Sequence, residues 1–239
     1  LGLKLFQSLI DGLDGVAADA NVTTVVLRGA GERAFSAGVD LREMRDLTPQ
    51  TAEEFIRTLH RAIRKVLTLP MPVIAAITGP CLGGALELVL ACDIRIASED
   101  AIFGLPEVLV GLPSVIEASL LPKTIGLGRA RRLIMTGDSV TSQEALEMGL
   151  VDQVVAKDAV HDAAMETTEK FRNISPKVMA AQKDIIVKWL EMGDEQSAEY
   201  SIKAFALGFT TGHPQEARSE EHTSELQSLA YLVCRLLLV

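Results

Sequence analysis

The 239-residue chain carries 32 Asp and Glu against 23 Lys and Arg, a net charge of −9, with 48% hydrophobic and 23% charged residues. That balance suits a globular protein rather than a disordered one, and the acidic excess argues against the broad basic face that nucleic-acid binding requires. Three widely spaced cysteines, Cys81, Cys92 and Cys234, form no Cys-x-x-Cys pair, which argues against a disulfide framework or a zinc site and for a reducing compartment.

In chain order, Leu3, Phe6, Leu9, Ile10 and Leu13 recur at helical spacing and predict an opening amphipathic helix. A β-branched run at 22–27 predicts a buried strand, and 34–41 a small-residue turn. Residues 51–69 predict a long helix stopped by Pro70 and Pro72. Residues 73–77 predict the next strand, ended by Gly79-Pro80, and Gly83-Gly84 leads into an apolar helix through Ala91. Short strands follow at 94–97 and 101–103, then helices at 115–125, 130–135 and 142–148 and a last short strand at 152–155. From Val160 onward the pattern is helical, over roughly 160–173, 176–192 and 195–211. An α/β core over 1–158 with a helical region over 159–217 is therefore expected.

The ends read differently from the middle. The chain opens at Leu1 without an initiator Met and reads as cut there, so a targeting segment would fall outside it. Residues 218–228 resemble the in-frame translation of a sequencing-library adapter, the other reading being a polar helix start, and 218–239 are expected to be a tail foreign to the fold. No apolar run approaches the ~20 residues of a membrane helix, and Arg235 breaks the longest, at 229–239.

Several chemistries lack their residues. Gly79 to Gly84 has no P-loop Lys, Gly126-Leu127-Gly128 lacks the third Gly of a dinucleotide fingerprint, and no Gly-x-Ser-x-Gly elbow is present. The histidines His60, His161, His213 and His222 show no metal spacing and read as surface or packing residues.

Three segments carry chemistry. At Gly83-Gly84-Ala85-Leu86-Glu87 a helix begins on a glycine pair. Its first N–H groups have no internal partner, and glycines let a ligand approach them closely, so this turn can serve a developing oxyanion. Glu87, three residues on, shares the face of that donor, although a first-turn acid is also an ordinary helix start. Phe35-Ser36-Ala37-Gly38-Val39-Asp40-Leu41 could present the Val39 amide as a second donor, or be a plain turn. Phe103-Gly104-Leu105-Pro106-Glu107 sets a carboxylate past a strand, which alone would be a solvated loop acid.

Together the Ser-Ala-Gly-x-Asp-Leu, Gly-Gly-Ala-x-Glu-Leu-x-x-Ala-Cys-Asp and Phe-Gly-x-Pro-Glu segments resemble the crotonase (enoyl-CoA hydratase/isomerase) superfamily, from Leu1 to about Ala217. The resemblance implies a spiral of ββα units with a C-terminal helical region used in homotrimer contacts, trimers often pairing into hexamers. It implies that the Val39 and Gly84 amides polarise a thioester carbonyl. It also implies that Ser36, Ala37, Val39, Asp40, Leu41, Gly83 and Gly84 line the CoA thioester site. Glu87 and Glu107 match the two acids of the hydratases, one activating water and one exchanging a proton at the α-carbon. No metal and no cofactor beyond the CoA of the substrate are implied, and neither nucleic acid nor membrane is an expected partner. The protein is expected to be soluble and intracellular, in the cytoplasm or mitochondrial matrix.

The chain departs from the family pattern after Glu107. Val108-Leu109-Val110-Gly111-Leu112-Pro113-Ser114-Val115-Ile116-Glu117 stands where many members have a Gly-rich stretch. Glu117 is then a third acid, read either as a surface helix residue or as a pocket acid. Arg42 and Arg45 are candidates for the CoA phosphates or belong to a solvated helix face. The leading expectation is hydration of 2-enoyl-CoA thioesters to 3-hydroxyacyl-CoA. The alternatives are a Δ3-Δ2 enoyl-CoA isomerase or other crotonase-type activity, and a non-catalytic scaffold that binds acyl-CoA or RNA.

Overall fold

A computed structural model describes residues 1–31 and 33–209 and the backbone of 230–236. Helix α1 (Leu3–Ala18) buries Phe6, Leu9, Leu13 and Val16, the stripe expected from the 3.6-residue period. Strand β1 (Val22–Gly29) follows, then a loop to the one-turn helix α2 (Leu41–Met44). Helix α3 (Pro49–Leu67) starts on a capping box in which Thr48 and Thr51 bond reciprocally, with Pro49 in the first turn where its missing N–H costs nothing. Phe6 of α1 meets Phe55 of α3 edge to face at 5.6 Å.

Strands β2 (Val73–Ile77) and β3 (Pro80–Leu82) lead into α4 (Gly84–Leu90), and β4 (Ile94–Ser98) and β5 (Ile102–Gly104) follow. Two 3-10 turns (Pro106–Val110 and Ile116–Leu120) come next, then α5 (Leu121–Ile125), α6 (Leu127–Thr136), β6 (Ser139–Thr141), α7 (Ser142–Glu147) and β7 (Gln153–Val155). The helices α8 (Val160–Glu169), α9 (Pro176–Glu191) and α10 (Asp194–Gly208) complete the helical run, and β8 (Ala230–Leu236) lies beyond it.

The strands form two sheets. A wholly parallel one runs β7-β4-β2-β1-β8, and a smaller one runs β3-β5-β6, with β3 parallel and β6 antiparallel to β5. From β2 to β5 successive strands alternate between the sheets, the ββα spiral implied by the resemblance. β2 is buried along its whole length, as a parallel strand covered on both faces must be. The fully buried Phe35, Ile63, Leu86 and Phe103 belong to one continuous core between the two sheets and α1, α3 and α4. Cys81 and Cys92 are free thiols inside it.

A second buried contact fixes α9. Lys183, 5% exposed, donates from Nζ to Asp93 Oδ2 at 2.7 Å, to the Met71 carbonyl at 2.9 Å and to the Val66 carbonyl at 3.4 Å. The same Asp93 oxygen accepts the Val73 amide at 2.7 Å, so the entry to β2 and the middle of α9 share one acceptor.

Four sequence expectations need correction. Gly79-Pro80 does not simply end a strand, because Pro80–Leu82 pairs with β5 after a glycine kink. The turn after Pro106 is a short 3-10 helix rather than loop. Ser139–Thr141 is a strand too short to show a period. The apolar run at 230–236, expected from the sequence to belong to a tail foreign to the fold, adds a parallel strand along the outer edge of β1, whose backbone groups would otherwise lack partners. Residues 218–228, the adapter-like stretch, lie outside the described residues. Among the described residues no helix is long and apolar enough to cross a membrane.

Candidate active site

The site forms where three loops meet. Ser36 makes an isolated parallel bridge to Cys81: its amide donates to the Pro80 carbonyl at 3.0 Å and its carbonyl accepts the Leu82 amide at 3.1 Å. The 36–41 loop is thereby laid against the start of α4. Gly38 has φ +94°, and a Cβ there would stand 2.8 Å from the Leu82 carbonyl oxygen, so only glycine permits this approach. Gly83 has φ +57° and closes the same contact from the other side. A Cβ on Gly84 would touch Val39 Cγ2 at 3.3 Å, so Val39 and Gly84 are direct neighbours. Neither of their amides donates to an acceptor among the described residues.

The acids flank this point. Glu87 projects from α4 and is 3% exposed. The Ala118 amide donates to its Oε2 at 3.1 Å. Burial pushes the Glu87 carboxyl up to about 8, the nearby Glu107 charge adds to that rise, and the Ala118 amide opposes it. Glu107 sits in the first turn of Pro106–Val110, half-buried. Its Oε1 lies 2.7 Å from where a Gly83 Cβ would be, and its Oε2 accepts the Ser114 hydroxyl at 2.9 Å. Two carboxyls, one buried and the other close enough to repel it, can share one proton.

A match to the family described as enoyl-CoA hydratase/isomerase covers residues 1–223. The chain belongs to the enoyl-CoA hydratase/isomerase family. It is 34% identical over 200 residues to a short-chain-enoyl-CoA hydratase of Clostridium acetobutylicum, across 83% of this chain and 77% of that protein. Its fold is similar to the crystal structure of an enoyl-CoA hydratase from Bacillus anthracis, with TM-score 0.86 and 34% identity over 92% of this chain and 86% of that one. An enoyl-CoA hydratase from Mycobacterium smegmatis superposes with TM-score 0.85 at 27% identity, over 90% and 84% of the two chains.

Within this hydratase/isomerase frame, Ser36, Val39, Gly83, Gly84, Glu87 and Glu107 come together as described. Ala37 is exposed and Leu41 is 56% exposed, on the open side of the loop. Asp40 caps α2 and accepts the Arg42 amide at 2.9 Å and its guanidinium at 2.8 and 3.1 Å. That side-chain bond holds the Asp40 carboxyl down at about 2. Arg42 and Arg45 are highly exposed, paired with Asp40 and Asp46, which fits the solvated-face reading.

Glu117 is not a surface helix residue: it is 5% exposed, because Ile116–Leu120 turns inward against α4. Its Oε1 pairs with His60 Nδ1 at 2.7 Å, and burial pushes its carboxyl up while His60 opposes that. From sequence alone His60 reads as a packing or surface side chain. Its partner lies 57 residues away on another element, and no local spacing could have announced it. Both border a cleft of about 700 Å3 together with Arg57, Arg64 and Lys123. Among the described residues no group of three His, Cys, Asp or Glu is placed to hold a metal ion.

Proposed function

We propose that this chain hydrates 2-enoyl-CoA thioesters to 3-hydroxyacyl-CoA. The observation that carries the reading is the buried Glu87, pushed up to about 8, beside a second carboxyl at Glu107 and next to the adjacent Val39 and Gly84 amides. In this reading the two amides receive the thioester oxygen, and the segment of Ser36, Ala37, Asp40, Leu41 and Gly83 lines the CoA thioester. Polarising the carbonyl makes the β-carbon electrophilic and lets the α-carbon accept a proton. One carboxyl takes a proton from water as its oxygen bonds to the β-carbon, and the other delivers a proton to the α-carbon. The pair ends with the charge it started with, so no further reactant is needed.

Two acids in one site favour hydration over Δ3-Δ2 isomerisation, which can run on one. The test is loss of the conjugated-thioester absorbance of crotonyl-CoA, with 3-enoyl-CoA as the isomerase probe. Hydration by the wild-type chain, abolished in Glu87→Gln and Glu107→Gln, is the expected outcome. Turnover of 3-enoyl-CoA alone would replace this reading with the isomerase, and binding without turnover would leave a scaffold.

The helices α8 to α10 are proposed to carry homotrimer or hexamer contacts. Trp189 of α9 and Ile202, Phe205 and Leu207 of α10 are each more than half exposed, an apolar display that a partner subunit would cover. Light scattering on the eluting protein measures the assembly mass. The free, buried Cys81 and Cys92 suit the reducing interior of a cell.

A further inference from the structure

Ile116 has φ +43°, the one non-glycine residue with positive φ among the described residues. A β-branched side chain is strongly disfavoured there, and such a backbone persists only where its surroundings impose it. Besides the turn's own Ala118 amide to Val115 carbonyl bond at 3.0 Å, two contacts tie the residues that follow to other elements. Glu117 Oε1 pairs with His60 Nδ1 of α3 at 2.7 Å, and the Ala118 amide donates to Glu87 Oε2 at 3.1 Å. Glu117 Oε2 is buried without a protein partner among the described residues, so the His60 contact is the side-chain tie of that residue to α3.

We propose that His60 and Glu117 are positioning residues for Glu87: their pairing fastens the strained turn at Ile116 to α3 and so holds the Ala118 amide on the Glu87 carboxyl. The role rests on the hydratase reading only insofar as Glu87 is one of its acids. The geometry is two contacts joined by the Glu117–Ala118 peptide, running from the half-exposed imidazole to the buried carboxyl.

Electrostatics acts along the same line. Glu87 faces the carboxyls of Glu107 and Glu117, and both raise its proton affinity. Glu117 in turn faces His60 and Arg64 of α3. Arg64 is itself engaged by Glu191 of α9, and Lys123 of α5 donates to the Leu190 carbonyl at 2.5 Å across the cleft. Among these groups His60 is the one in direct contact with Glu117. In Glu117→Gln the amide can still bond His60, so the turn stays in place while the charge is removed. In His60→Ala the tie itself is removed.

The experiment is a carboxyl-13C NMR titration of Glu87 in the full chain, assigned by its disappearance in Glu87→Gln, run alongside the pH profile of crotonyl-CoA hydration. Glu117→Gln is expected to lower the Glu87 midpoint, because a negative neighbour is lost and the Ala118 donor is kept. His60→Ala is expected to raise it, because the donor to the ionised form is lost, and to cut kcat roughly ten- to a hundredfold with KM within about twofold. Ile116→Gly in the His60→Ala background should recover part of kcat, since a glycine holds the turn without strain. A Glu87 midpoint unmoved in His60→Ala, with circular dichroism showing the chain still folded, overturns the proposal. So does an equal fall of kcat with melting temperature across the series and no movement of the pH profile. If the wild-type chain hydrates nothing, the hydratase reading fails, while the Glu87 titration still decides the positioning role.

Discussion

Glu87 Oε2 and the Ala118 amide stand 3.1 Å apart, joining the first turn of α4 to the turn that follows Pro113. Glu87 is the only acid in the first turn of α4, yet it is no exposed helix start. It spends its position on a buried carboxyl whose proton is held by the surroundings.

That proton makes stability depend on pH. The folded carboxyl titrates at about 8, above the ordinary 4.5 of an unfolded chain, so folding binds the proton more tightly. The contribution is fully present below about 4.5 and is lost as pH rises through about 8. Glu87→Gln cannot ionise and escapes the loss. Its melting temperature should match the wild type near pH 4.5 and exceed it at pH 9, by an amount equivalent to about 3–5 kcal/mol. Parallel melting curves across that range would contradict the assignment.

Gly84→Pro tests the backbone donor. Position 84 is the first residue of α4, where proline suits the helix and removes an N–H that the helix does not use, though its Cβ must displace the Leu59 and Val39 side chains, 3.2 and 3.3 Å away, by a few tenths of an ångström. Folding should survive, and crotonyl-CoA hydration should fall by ~10²–10³-fold, the usual effect of losing one oxyanion donor. Circular dichroism and steady-state rates on the same preparation separate the two effects.

Gly83→Ala acts on the other acid. Its Cβ would stand 2.7 Å from Glu107 Oε1 and would require a side chain at φ +57°. The carboxyl must move aside. The expected result is a lower kcat for hydration with little change in substrate affinity, read from saturation kinetics.

Lys183→Met leaves Asp93 without its cation and the Met71 carbonyl without its donor, while the Val66 carbonyl keeps the Leu69 amide. A cost of about 2–3 kcal/mol is expected, tempered because Asp93 is partly open to solvent. Urea denaturation measures it, and the midpoint should shift without a change in slope.

Legibility in the sequence followed how local each signal was. The β-branched run of β1 and the apolar stripes of α1 and α3 depend on neighbours within one or two turns, and their positions agree with the pattern to within a few residues. Pro80–Leu82 and Ser139–Thr141 are three residues long, and their pairing partners in β5, not their own composition, make them strands. At the site, the glycines and acids were legible because their motif spacing resembles a known family. The burial of Glu117 was not, since Ile116 turns it inward through a backbone state that isoleucine rarely adopts. Its pairing with His60 arises only when α3 packs against that turn.

The two core thiols have a practical consequence. Burial raises the Cys81 thiol well above its usual range and Cys92 to about 12, so both stay protonated and sheltered at neutral pH. Cys81 also shares its backbone bridge with the loop that carries Val39. With Cys234 changed to Ser, a maleimide could react only when the interior opens. The alkylation rate would then act as a clock for excursions of the native state, and acyl-CoA bound across that loop should slow it.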